Sequence, residues 1–322
     1  MTRYLRNQSV LAALEATPGT LATMVAADAI LLKGVDVSFP DEGDERNLMR
    51  GYMGNSEALA GARRMDLKFT VECAGSGVAG TAAAWGKLLR ACGFAEVVQA
   101  APARVEYNPV STAFESMSFS FANDGAKYTG RFGRGSAKFN FSPYKAPTIE
   151  FTFKAIDTSG SVAANPAPTY ATYTRPEVVS DGNVTSLKQG GAYAVGAITG
   201  GTTLAWDMFS LDLNNTLEHV LLVGSAEAID ISDRNIKGGT SVFVTATEEI
   251  AWRADWLANT LNSFSLLHGT AAGKKIILHG ASVQKTNVQP GASGAKSRVM
   301  VNADLQFLPT GSGGNDLMLV TL

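Results

Sequence analysis

Residues 65–93, from Met65 to Gly93, read MDLKFTVECAGSGVAGTAAAWGKLLRACG. The first nine positions alternate. Met65, Leu67, Phe69, Val71 and Cys73 share one face, and Asp66, Lys68, Thr70 and Glu72 share the other. One apolar and one charged face at period two describe a strand in an antiparallel sheet that is covered on one side only. Gly75, Gly77 and Gly80 follow with the G-x-G-x-x-G spacing of a dinucleotide-binding turn. That fingerprint needs a first strand buried on both faces, which Asp66, Lys68 and Glu72 contradict. The three glycines then serve as a flexible strand-to-helix turn. Thr81–Ala91 is expected as the helix, with Thr81 as cap, Trp85, Leu88, Leu89 and Cys92 on one face, and Gly93 as the stop.

The chain has 322 residues, room for two domains of ordinary size. Its 33 glycines fall mostly between short apolar runs, which indicates many turns and much β-structure. A net charge of −2 gives no basic footprint for tight nucleic-acid binding. Cys73 and Cys92 have no spacing partners for a metal site or a disulfide framework, so we expect two buried thiols. No apolar run approaches the roughly 18 residues of a membrane helix. The N-terminus lacks a continuous apolar core and a small-residue cleavage site. The expectation is a soluble protein made in a cytoplasm, with no cofactor.

In chain order, residues 7–15 suggest a short helix stopped at Thr17-Pro18-Gly19. Gly34–Phe39 alternates as a half-buried strand. Pro40–Arg64 is a long polar span with charges in blocks: Asp41, Glu42, Asp44 and Glu45, then Arg46, Arg50, Arg63 and Arg64. Loops of this length are functional or disordered; this one is either a solvated loop or an arm that docks on a neighbouring subunit. Strands are expected at Met117–Ala122, Ala126–Phe132, Ser136–Ser142 and Thr148–Ala155. Phenylalanines sit at period two (Phe119 and Phe121, Phe139 and Phe141, Phe151 and Phe153), the pattern of an antiparallel core. Asp157–Pro168 is rich in small residues and proline and reads as a linker, and 169–205 as a surface crossing.

The second half repeats the first. Met208–Leu213 alternates like Gly34–Phe39, Gly224–Ile229 (GSAEAI) matches Gly54–Leu59 (GNSEAL), and Arg234 precedes Ser241–Ala246 as Arg64 precedes Lys68–Ala74. A second helix is expected at Thr247–Asn259, capped by Thr247, with Ala251-Trp252 parallel to Ala84-Trp85. Four more strand candidates follow: Asn262–Leu267, Lys274–His279, Gly280–Asn287 and Arg298–Phe307. The retained order is the evidence for duplication. The second copy has no glycine spacing before its helix. The expected fold is mainly β: two tandem antiparallel β-sandwich or barrel modules, each with one flanking α-helix. The first module covers 1–157 with an N-terminal arm, 158–205 is a linker or crossing segment, and 206–322 is the second module.

The N-terminal pattern of an expected helix followed by Glu15-Ala16-Thr17-Pro18-Gly19-Thr20 resembles the start of tail tube (major tail) proteins of long-tailed bacteriophages. So do Val35–Phe39 with the acidic, arginine-containing loop behind it, and the strand–helix–hairpin order from Met65. Ser210-Leu211-Asp212-Leu213-Asn214-Asn215 looks like the start of a second tube module in longer members. The resemblance implies a structural virion protein whose modules form rings that stack into a hollow tube. In that family the long loop after the first strand reaches an adjacent ring, here Pro40–Arg64. Viral DNA passes through the lumen without sequence-specific binding, and partners would include tape measure, terminator and distal tail proteins. Three two-module chains would make a pseudo-hexameric ring; a true hexamer with the second module outside is the alternative.

A near-neutral, slightly acidic chain suits a channel along which a polyanion slides, because a strongly basic lining would bind DNA tightly. Other functions find little purchase. The only histidines are His219, His268 and His279; the last two fall on or beside neighbouring strands, without metal-ligand spacing. There is no G-x-S-x-G nucleophile elbow, and the carboxylates lie in loops and on wet strand faces. The alternatives to a structural protein are a nucleotide-binding enzyme using Gly75, Gly77 and Gly80, and a carbohydrate-binding or adhesin β-sandwich. The second needs an exposed aromatic platform, whereas Trp85, Trp252 and Trp256 fall on the expected helices among apolar neighbours.

Overall fold

The structure is a computed structural model that describes residues 2–292, 298–311 and 313–322. In chain order the strands are β1 (Gln8–Leu14), β2 (Gly34–Ser38), β3 (Asp44–Glu45), β4 (Ala58–Leu59), β5 (Arg64–Glu72), β6 (Phe94–Ala100), β7 (Ala103–Pro109), β8 (Met117–Asn123), β9 (Ala126–Phe141), β10 (Thr148–Val162), β11 (Ser186–Ala194), β12 (Ala197–Asp212), β13 (Asn215–Val220), β14 (Ala228–Arg234), β15 (Lys237–Phe243), β16 (Leu261–His268), β17 (Ile276–Ala292), β18 (Val299–Phe307) and β19 (Met318–Thr321). The two α-helices are α1 (Gly86–Arg90) and α2 (Ala246–Leu257). The fold is mainly β, and the ladders are antiparallel.

The ladders trace one pairing order twice. In the first half β1 pairs β8, β8 pairs β9, β9 pairs β10, β10 pairs β5 and β5 pairs β2. A bridge between Leu11 and Ala29 and a bond from the Ile30 amide to the Val10 carbonyl close this circuit just before β2. In the second half the order is β11, β16, β17, β18, β15, β12. There β12 closes the circuit itself, because its first half pairs β11 and its second half pairs β15. Two ladders join the circuits. The end of β9 pairs the end of β12, with Phe141 opposite Phe209 and Lys138 opposite Asp212. The hairpin β6–β7 pairs β19, which pairs β17.

The apolar face of β5 is fully buried and its charged face half exposed, as alternation requires. Phe119, Phe139, Phe141, Phe151 and Phe153 are all buried, and Phe69 stacks on Phe153 with ring centroids 5.8 Å apart. Both α-helices are held by a tryptophan. The Trp85 indole Nε1 donates to the Ala74 carbonyl at 2.7 Å. Trp252 lies under the Lys285 ammonium, 4.8 Å from ring centroid to Nζ, and Lys285 also pairs with Asp255. A fully buried lysine needs such partners, since an unpaired charge would be costly there.

Several elements differ from expectation. Residues 7–15 form strand β1 instead of a helix, because Val10 and Ala12 complete the core against β8. Helix α1 is only five residues long and begins at Gly86 rather than Thr81, since Ala82–Ala84 offer no large apolar surface to bury. Helix α2 is capped by Thr245 rather than Thr247. The Thr245 hydroxyl accepts from the Glu248 amide and the Glu248 carboxylate accepts from the Thr245 amide, a capping box that Thr247 with Ile250 cannot form. The pairs expected at 126–132 with 136–142 and at 274–279 with 280–287 are each one long strand, β9 and β17, bent at left-handed Phe132 and Asn287. The span 158–205 carries the end of β10 and the hairpin β11–β12 rather than only a crossing.

Glu15 anchors the first circuit. Its buried carboxylate accepts from the Gly19 amide (2.7 Å), the Ser116 and Ser118 hydroxyls (2.5 and 2.7 Å) and the Phe132 amide (2.8 Å). Arg131 donates to the Gly19 carbonyl at 2.7 Å. One acid thus ties the chain after β1 to β8 and to the bend in β9. Glu15→Ala strands these buried donors and is expected to cost on the order of 3 kcal/mol, with Glu15→Gln milder because it keeps an acceptor. Urea unfolding should show the loss as a lower midpoint at unchanged slope.

Candidate functional site

Residues 40–64 form an ordered hairpin arm. Arg64 at its base pairs with Glu42 at 2.6 Å and with Asp66 at 3.1 Å. Asp41 bridges to Arg63 through the backbone and accepts from the Gly61 amide at 2.9 Å. Asp44 and Glu45 lie in β3, opposite Leu59 and Ala58 of β4. Beyond them Arg46 pairs with Glu57, and the Leu48 amide donates to the Ser56 hydroxyl at 3.2 Å. Arg50 lies at the tip beside Met49, Tyr52 and Met53, whose exposures are 104%, 72% and 102%. The charges seen in the sequence therefore divide: those near the base brace the hairpin, and the tip presents large apolar side chains to solvent. Such exposed apolar groups in a cluster mark an interaction surface.

A second hairpin, β13–β14, follows β12 as the first follows β2; the match of Gly224–Ile229 to Gly54–Leu59 marks its place in the sequence but not its pairing. Its signal was the alternation of Leu217 and His219 before the turn at Gly224. Its tip also exposes apolar groups, Leu222 at 64% and Val223 at 109%. Unlike the first hairpin, it lies on strands of the other circuit. Lys154 of β10 donates to the Leu217 carbonyl (3.0 Å), and Arg134 of β9 donates to the Ile229 carbonyl (3.0 Å) and to Asp230 (2.8 Å). The base of the first hairpin meets the far end of the second at His219. Its Nδ1 lies 3.3 Å from Glu42 and its Nε2 lies 2.6 Å from Glu227.

Of the three glycines after β5, Gly75 packs directly on backbone, while Gly77 and Gly80 hold left-handed φ angles of 86° and 75°. The Gly77 amide donates to the Gly273 carbonyl at 2.8 Å, and a Cβ on Gly75 would stand 2.1 Å from that same oxygen. Thr174 donates to the Gly75 carbonyl. The turn is occupied by contacts between the two halves, and α1 begins six residues after Gly80, so it does not present a helix N-terminus as a phosphate cradle requires. A strict glycine requirement arises here from close packing.

His268 and His279 are buried, but they do not form a pair. His279 stands opposite Ser265 in the β16–β17 ladder, three residues from His268, so the two rings leave opposite faces of the sheet. His268 Nδ1 bonds the Thr185 hydroxyl and His279 Nδ1 the Ser265 hydroxyl, both at 2.8 Å. No group of three His, Cys, Asp or Glu among the described residues has metal-binding geometry. Among the same residues, no helix is long and apolar enough to cross a membrane.

One family of known proteins matches this chain: the sequence profile described as phage tail tube protein covers residues 6–308. The chain belongs to the phage tail tube protein family. It is a structural protein of the phage tail, and the match runs from before β1 to just beyond β18, through both circuits and both hairpins. A search of curated proteins found no match.

Burial lowers the pKa of both His268 and His279 below the ordinary 6.5, with Glu177 partly opposing this at His268. The unfolded chain takes up these protons as pH falls through 6.5, while the folded chain stays neutral until lower pH. Their contribution is therefore full above that range and is lost on acidification. Stability of this tail tube protein should fall between about pH 7.5 and pH 5.5, and His279→Gln should show a shallower fall in paired denaturation curves.

Proposed function

We propose that this protein assembles into closed rings that stack into the hollow tail tube through which viral DNA passes. The observation that carries the proposal is the family match over nearly the whole chain. The repeated pairing order adds to it. Two strand circuits with the same connectivity, each carrying a hairpin after its second strand, are what one chain supplying two ring positions requires. On this reading the chain is an internal duplication whose first copy ends with β10 and whose second opens with β11, and three chains complete a ring of six positions. Heterologous contacts between unlike surfaces close into such rings when the rotation allows.

The arm at 40–64 is the contact between rings. Its base is braced by Asp41, Glu42, Arg46 and Arg64, so the apolar tip is held away from the body at little further entropic cost. Asp44, Glu45, Arg50 and Arg63 are exposed along it and would set its register on the next ring. The tube ends would meet the tape measure, terminator and distal tail proteins. The slightly acidic chain favours passage of DNA over retention, since few phosphates would be neutralised.

Negative-stain microscopy of concentrated protein tests this reading. Rings and tubes are expected from the intact chain. Replacing residues 46–57 by a two-residue Asn-Gly turn should leave the unfolding transition nearly unchanged and abolish stacking. Unchanged tubes would show that the arm is not the contact, and a monomer at every concentration would remove the ring reading itself.

A further inference from the structure

The joint between the two circuits has an unused counterpart at the ends of the chain. The end of β12 is paired on both edges, with β15 on one side and β9 on the other. The Leu213 amide extends the second ladder by donating to the Ala137 carbonyl at 3.0 Å. Strand β2 holds the same place in the first circuit and pairs with β5 alone among the described residues. Matching Gly34–Phe39 to Met208–Leu213 sets Val37 against Leu211 and Phe39 against Leu213. Leu211 and Leu213 are completely covered, at 1% and 0% exposure, whereas Val37 is half-buried and Phe39 is 39% exposed. The Pro40 carbonyl accepts from the Arg64 amide on the β5 side. By alternation, the amides of Val37 and Phe39 face the open edge.

The complementary edge lies on β17. Following the ladders across each circuit, Lys138 and Phe139 of β9 correspond to Gln289 and Pro290 of β17. Beyond Gln284, β17 pairs only with β18 among the described residues, so the edge that β12 occupies on β9 is open here. Gln289 and Pro290 are both exposed. A proline in the middle of a ladder must aim its missing N–H at an unpaired edge. The Leu308 amide bonds the Ser282 carbonyl, and the single extra residue at the Asn287 bend shifts the alternation so that Pro290 faces away from β18.

We propose that β2 of one chain adds to the open edge of β17 in the next chain of the same ring, in the register that β12 adopts on β9. The inference rests on the ring reading above and names its contact. Ser38 stands opposite the next chain's Gln289 and Val37 opposite the next chain's Pro290. The Val37 amide donates to the Pro290 carbonyl without a return bond. The arm base follows the strand: as β13–β14 lies on β9 and β10, so β3–β4 lies on the next chain's β17 and β18. That is why β3 and β4 stand exposed in the single chain while β14 is half covered. Each chain offers one edge of each kind, so the contact is head-to-tail and leaves no open β2 edge once the ring closes.

A cross-strand disulfide tests the register. Ser38 and Gln289 would form a non-hydrogen-bonded pair, with Cα atoms about 4.5 Å apart, within disulfide reach. Both side chains are exposed, so Ser38→Cys with Gln289→Cys should fold as the parent does, which thermal unfolding checks. Oxidation of assembled rings should give covalent oligomers up to full ring size, and Asp36→Cys with Gln289→Cys, two residues out of register, should give few. In the unmodified protein, the Val37 and Phe39 amides should exchange at least about tenfold more slowly on assembly. Rings that show neither cross-links nor slowed exchange overturn this joint while leaving the ring reading intact. Protein that stays monomeric overturns both.

Discussion

Strand β12 carries the architecture. Its first half completes the second circuit against β11, and its second half is hydrogen-bonded to β15 on one edge and to β9 on the other. A strand paired on both edges has no free polar backbone, so the region where the two halves meet behaves as one sheet rather than as two domains on a linker. Phe209 and Leu211 of β12, with Phe139 and Phe141 of β9, are buried along this seam. The β6–β7 hairpin with β19 adds a second seam. Two seams also explain the glycines after β5, which let the turn beside α1 touch the Gly273 turn from the other half.

This seam matters for function because it shows how a circuit of this kind accepts a neighbour. An edge strand is an aggregation risk unless it is covered or paired. In the joint proposed above, that risk becomes the means of assembly, provided the exposed edge fits one partner in one register. The short β2, the apolar pair Val37 and Phe39, and the proline that removes one donor from β17 all narrow the choice. The two arms then divide by position: β13–β14 is already seated on strands of the other circuit, while β3–β4 stands free with its salt-bridged base and apolar tip.

Much of this was legible in the sequence where side chains alternate across a clear boundary. The faces of β5 and the phenylalanine stripes followed from spacing, and the matched GNSEAL and GSAEAI segments lead into the returning strands of the two arms. What escaped had specific causes. The run before Glu15 contains Leu and Ala, which suit a helix, and only its long-range pairing with β8 makes it a strand. The cap falls at Thr245 rather than Thr247 because Glu248, three residues on, completes a capping box only with Thr245. The hairpin β6–β7 turns at Ala101-Pro102, a weak turn signal beside Asn-Gly or Asp-Gly. The role of Glu15 is not legible locally: beside the nearby Gly19 amide, three donors from two distant segments converge on it.

The central claim is that one chain supplies two equivalent positions in a ring. A cryo-microscopy reconstruction of the assembled tube, computed without imposed symmetry, tests it most directly. The account predicts three chains per ring, six β-circuits around the lumen, and continuous strand density from β2 of each chain onto β17 of the next. Six identical chains per ring, with residues 206–322 outside the lumen wall, would contradict it.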